Sequence, residues 1–173
     1  VDLQKDYLAT GNFALAGIDA AAANAARIVA AARARGDRIV LIHHVSTEAD
    51  SPLFAPETDG ISPIPAVEPQ AGDTVIVKNY PNSFRETPLH QTLQADGIEE
   101  VVVIGAMSDM CIDATARAAA DLGYGLTVVH DACATRDKAF GDTVVPAGQV
   151  HATIMAALEF GYGKVTTTAE FVA

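Results

Sequence analysis

A chain of 173 residues, half of them hydrophobic, is long enough for one domain with a sizeable core and too apolar to be disordered. Eleven Lys and Arg against 22 Asp and Glu leave a net charge of -11, which argues against nucleic acid as a partner, because phosphate contacts need a basic face. No apolar run reaches the ~20 residues that cross a bilayer: the alanine-rich stretch from Ala20 to Ala34 is interrupted by Asn24, Arg27 and Arg33. Two cysteines, Cys111 and Cys133, allow at most one disulfide, and the reading adopted is a cytoplasmic chain with both thiols reduced.

The opening VDLQKDY reads as the exit of a strand. A first strand built from Val1 alone would leave a central gap in a sheet, so several apolar residues are expected upstream of Val1 in the native protein. A helix is predicted from Ile18 to Arg35 with Gly36 as its stop, then a strand from Arg38 to Val45. Ser46 to Gly72 is a long Pro- and Gly-punctuated stretch without period, a length that in a compact domain points to function or disorder. Thr74 to Val77 is the next strand and runs straight into Lys78. A helix from Pro88 to Ala95, a strand from Val101 to Ile104, and a helix from Asp109 to Leu122 capped by Ser108 follow. Leu126 to Val129, Gln149 to Phe160 and Lys164 to Thr167 complete the pattern as strand, helix and strand. β-branched runs alternating with helices specify an α/β fold: one domain over residues 1–173, doubly wound and Rossmann-like, its parallel sheet covered by helices on both faces.

In open α/β sheets, sites form beyond the carboxyl ends of the strands. Asp2, Lys78 and Cys111 all fall at such places. With Ser108 as cap, Cys111 would sit in a first helical turn, where free N–H groups and the helix dipole favour a thiolate and can hold an oxyanion. Lys78 would add to that effect and Asp2 could take the thiol proton, so the Cys111 pKa is expected to be lowered. The competing reading is structural, since free cysteines are among the most buried residues. Cys133, in DACATRD, is a rival nucleophile without a clear helix start.

Three segments, VDLQKDY, KNYPNSFRETPL and GAMSDMCIDATARAAADLGYGLTVVHDACAT, together resemble the isochorismatase-like cysteine hydrolases, a group that includes nicotinamidases, N-carbamoylsarcosine amidase and streptothricin hydrolase-like enzymes. PNSFRET and the overall spacing look closer to the streptothricin hydrolase-like branch than to nicotinamidase. The resemblance implies a catalytic triad of Asp2, Lys78 and Cys111. It also implies a cis peptide at Ala106–Met107 that turns the N–H groups of Met107 and Cys111 into an oxyanion hole. The implied function is hydrolysis of a C–N amide bond in a small molecule through a thioester. Vinyl ether hydrolysis of the isochorismatase type, or a non-catalytic binding module, are the alternatives. Assembly as a homodimer or higher oligomer is implied as well.

Nicotinamidases of this group hold a metal with an Asp-x-His pair. IHHVSTEAD offers His43 and His44 side by side instead, and adjacent strand residues point to opposite faces. His90, His130 and His151 lack metal-ligand spacing, so neither a metal nor any other cofactor is expected. His44, Phe54 and Phe84 are candidates to line the substrate pocket, the two rings by stacking on a flat substrate.

Overall fold

The alanine-rich run becomes helix α1, Ile18–Arg35, with the predicted bounds. Ile18, Ala21, Ala22, Ala25, Ile28 and Ala32 recur at helical spacing along one stripe, and all are buried. The computed structural model describes all 173 residues. The remaining elements are β1 (Val40–His44), β2 (Thr74–Lys78), α2 (Leu89–Ala95), β3 (Glu100–Ala106), α3 (Asp113–Asp121), β4 (Gly125–Ala134), β5 (Lys138–Phe140), β6 (Thr143–Val145), α4 (Ala147–Gly161), β7 (Lys164–Thr166) and α5 (Thr168–Val172). No helix is long and apolar enough to cross a membrane.

The main strands are parallel. β1 pairs with β2, and β4 lies between β3 and β7. Val1 and Asp2 join these two groups: the Val1 ammonium donates to the Ile104 carbonyl at 2.9 Å, the Ala106 N–H to the Val1 carbonyl at 3.1 Å, and the Asp2 N–H to the Ile42 carbonyl at 2.8 Å. The backbone of Val1 passes so close to Gly105 (φ 129°) that any Cβ there would collide with it. Beside this junction a cavity of about 860 Å³ separates β1 from β3, walled by Val1, Ile28, Val40, Val102, Ile104 and Phe171.

Successive strand residues feed opposite cores, as the two-residue period requires. Val129 joins α1, Tyr7, Phe54 and Met107 on one face; Val128 joins Leu93, Ile112, Ala116, Met155 and Leu158 on the other. Helices therefore cover both faces, α1 and α5 on one side and α2, α3 and α4 on the other. The fold is the doubly wound α/β architecture that the alternation of elements specifies.

Several predicted bounds need correction. β1 begins at Val40 and not at Arg38, whose side chain pairs with Asp96 at 3.2 Å. β4 runs on to Ala134 because its pairing with β3 resumes, after a register shift, at Gly105 with Cys133 and Ala106 with Ala134. Cys133 is thus a strand residue. The hairpin of β5 and β6 and the short helix α5 were not predicted.

Candidate active site

Asp2 stands just past the Val1 junction, Lys78 ends β2, and Cys111 lies in the turn that follows β3. All three side chains meet in one place. The Lys78 Nζ is 2.7 Å from Asp2 Oδ2 and 3.3 Å from Cys111 Sγ. It also donates to the Tyr80 carbonyl at 3.0 Å and lies 3.0 Å from His44 Nδ1. Asp2 and Lys78 are sealed from solvent, with relative exposures of 0% and 1%, and Cys111 is 4% exposed. The contact between Asp2 and Lys78 is a charge contact and not a directed hydrogen bond, so both carboxylate oxygens keep lone pairs free for a proton.

The turn carrying Cys111 is not the α-helical start expected. Ser108–Ile112 is a single π-helical turn, a form that recurs at functional sites, and it runs directly into α3. Ser108 is not its cap. Met107 takes the cap position, and the buried Ser108 hydroxyl instead pairs with His151 Nδ1 on α4 at 2.8 Å. The Ala106–Met107 peptide is cis, as the resemblance implied. The Met107 carbonyl accepts the N–H groups of Met110 and Ile112, both at 3.1 Å, while no turn, loop or cap bond uses its own N–H.

The expected acidic thiol is a second correction. Burial pushes the Cys111 thiol well above its ordinary value, the Asp2 carboxylate adds to the rise, and Lys78 opposes it only in part. The physical reason is desolvation: the pocket that assembles the triad also strips water from a thiolate. The upward shift favours the thiol over the thiolate in the unliganded site. Alkylation of Cys111 by iodoacetamide is therefore expected to accelerate with pH beyond about 9. A plateau below about pH 8 would mean that a depressed thiol pKa governs the site.

Of the three residues proposed to line a pocket, only His44 borders the charged cluster. Its Nδ1 is 3.9 Å from Asp2 Oδ2 and 4.0 Å from Cys111 Sγ. Phe54 is 1% exposed and stacks on the His44 ring with centroids 5.5 Å apart, its edge partner being Tyr7. It buttresses His44 and leaves no open face for a substrate. Phe84 packs against Tyr124 and His90 and borders the cavity between β1 and β3. Phe54 is spent on packing, whereas Phe84 is only half-buried and keeps part of its ring on that cavity. Cys133 is buried in β4, its Sγ against the Val129 carbonyl, and burial raises its pKa to about 12.

Three contributors were missed. Gln4 is fully buried and clamps the main chain of His44, accepting its N–H at 2.7 Å and donating to its carbonyl at 2.8 Å. Asp6 accepts the Phe54 N–H at 2.7 Å, and its carboxylate fills the space where Gly60 has no Cβ. The Tyr80 carbonyl holds Lys78. No local signal marked the first two, because Leu3 and Tyr7 beside them are buried as well and Lys5–Tyr7 is a 3-10 turn rather than a strand. Together Gln4 and Asp6 order residues 46–67, a segment that carries only the two short 3-10 turns Asp59–Ile61 and Pro65–Val67.

Asp2, His44 and Cys111 offer donor atoms within 4.8 Å of one another, a grouping that could suit a metal. The Lys78 ammonium, however, touches all three and already occupies the cation position among them. The other histidines serve elsewhere: His90 pairs with the Tyr124 hydroxyl at 2.9 Å, and the ring of His130 lies 5.8 Å from that of His151. The donor set does not fit a metal centre while Lys78 is charged.

The chain is similar to known proteins over nearly its whole length. Residues 1–170 match the family model described as the isochorismatase domain. The chain is 42% identical over 172 residues to the uncharacterized isochorismatase family protein YddQ of Bacillus subtilis, covering 99% of this chain and 96% of that protein. It is 26% identical over 205 residues to the ureidoacrylate amidohydrolase RutB of Variovorax paradoxus, covering 99% of this chain and 78% of that protein. Among solved structures, an isochorismatase from Pseudomonas putida KT2440 superposes with a TM-score of 0.92 at 43% identity, over 98% of this chain and 86% of that one. By sequence and fold, the chain belongs to the isochorismatase family of hydrolases.

Proposed function

We propose that the protein is a metal-independent cysteine hydrolase that cleaves a C–N amide bond in a small molecule. The observation that carries this reading is the convergence of Asp2, Lys78 and Cys111 around one ammonium, 2.7 Å and 3.3 Å from its nitrogen and out of solvent. Proton transfer demands approach, and the Asp2 and Cys111 donor atoms already lie within 4.8 Å of each other beside the same ammonium. Asp2 takes the proton of the Cys111 thiol as the sulfur attacks the amide carbonyl carbon. Lys78 balances the charge left on the cluster. The tetrahedral oxyanion is held by the N–H groups of Met107 and Cys111. Collapse breaks the C–N bond, Asp2 returns its proton to the departing amine, and a thioester remains. Asp2 then takes a proton from water, the hydroxide oxygen bonds to the thioester carbon, and the carboxylic acid leaves as the thiol is restored.

The amide preference draws support from the amidohydrolase relative and from the retention of all three triad members. The test is a screen of small amides, nicotinamide and cyclic lactams among them, with ammonia or ring opening as the readout. Turnover of a vinyl ether by a variant lacking the thiol would favour the isochorismatase-type alternative instead. Exhaustive chelation is expected to leave the amidase rate unchanged, because the ammonium fills the only cluster of suitable donors. Loss of activity on chelation, restored by a divalent cation, would refute the metal-independent reading.

A further inference from the structure

We propose that His44 is a positioning residue for the catalytic lysine: its Nδ1 holds one N–H of Lys78 so that another stays aimed at the Cys111 sulfur. The inference rests on the hydrolase reading above and adds a member to that site.

An ammonium has three protons, and here three directed hydrogen bonds leave it. They run to His44 Nδ1 at 3.0 Å, to the Tyr80 carbonyl at 3.0 Å and to Cys111 Sγ at 3.3 Å. The first two acceptors belong to the scaffold. With both occupied, rotation about the terminal C–N bond is fixed and the third N–H has the sulfur as its target. Remove one scaffold acceptor and the ammonium can turn away from the thiolate at the moment charge develops there.

The imidazole is itself held on several sides. Gln4 clamps its main chain and Phe54 stacks on its face at an interplanar angle of 29°. Phe54 is held by the Asp6 carboxylate through its own N–H. To accept from Lys78, Nδ1 must carry the lone pair, which places the ring proton on Nε2. The charged and titratable groups facing the ring are Lys78 from β2, Asp2 from the first loop and Cys111 from the π turn; the Phe54 segment presents only an aromatic face. Burial, and after it the Lys78 charge, hold the imidazole below its ordinary pKa, with Asp2 and the Asn79 main chain opposing. The neutral acceptor form therefore persists as pH falls through the usual histidine range. Below its lowered pKa, Nδ1 gains a proton, the bond to Lys78 is lost and two cations face each other.

The experiment compares His44→Phe, which keeps the stack on Phe54 and removes the acceptor, with His44→Asn, whose amide oxygen can replace Nδ1 and does not titrate. The substrate-free probe is iodoacetamide, with Cys111 modification followed by mass spectrometry across pH. His44→Phe is expected to slow alkylation at pH 8 about tenfold and His44→Asn to stay within about threefold of wild type. On an amide found in the screen, His44→Phe should lower kcat by about 10- to 100-fold and leave KM nearly unchanged. The acid limb of the wild-type profile should shift to lower pH in His44→Asn. Equal alkylation in all three proteins, a KM effect without a kcat effect, or an unmoved acid limb would overturn the proposal. Turnover retained by a variant lacking the Cys111 thiol would instead refute the hydrolase reading on which it rests. Nitrogen-15 NMR supplies an arm independent of any variant: a resting His44 carrying its proton on Nδ1 would also overturn it.

Discussion

Cys111→Ala is expected to abolish turnover, by a factor of at least ~10⁴, while the protein stays folded. The sulfur is the strongest nucleophile in the cluster, since the Lys78 nitrogen has no free lone pair while it is an ammonium paired with Asp2. Asp2 and Lys78 are held by Val1, β2 and the Tyr80 carbonyl, so they keep their places when the sulfur goes. Alanine suits a helical turn, and loss of one buried sulfur costs about 1 kcal/mol of packing. Cys133→Ala is the control. Its side chain lies in β4 against the Val129 carbonyl, so stability should fall slightly and kcat should hold. If Cys133→Ala loses activity and Cys111→Ala keeps it, the nucleophile has been misassigned.

The second large effect concerns stability as much as rate. Lys78→Met removes the counter-charge from an Asp2 carboxylate that is 0% exposed. An ion left buried without its partner costs about 3–5 kcal/mol, much of a small domain's stability. The midpoint of urea unfolding should fall accordingly. Combining Lys78→Met with Asp2→Asn removes both charges, and asparagine tolerates the left-handed backbone of Asp2, whose φ is 51°. The double variant should recover at least about half of the lost stability while remaining inactive. A single variant that loses less than about 1 kcal/mol, or a double variant no better than the single, would show that the pair is not the buried ionic unit described.

How far the sequence reached depended on whether a signal was local. Helix α1 was legible because its apolar stripe, its alanine content and Gly36 all act within a few residues. Two other local signals went unread. Gly141 and Asp142 form a two-residue turn between β5 and β6, and Thr167 with Glu170 forms the capping box of α5. Both were available from spacing alone. Phe54, Phe84 and Ser108 were different, since what each touches lies far along the chain: His44 and Tyr7, Tyr124 and His90, and His151.

The sequence by itself determined the alternation of strands and helices, and with it the α/β class. It also placed a carboxylate, a lysine and a thiol near strand ends, because these follow from periodicity and residue order. Only the tertiary structure decided that Lys78 is caged by His44, Tyr80, Cys111 and Asp2, since that cage draws on segments remote in sequence. It also decided the sign of the Cys111 shift. A helix start predicts a thiolate, but the closure of two cores around the turn removes the water a thiolate needs, and burial outweighs the attraction of one ammonium.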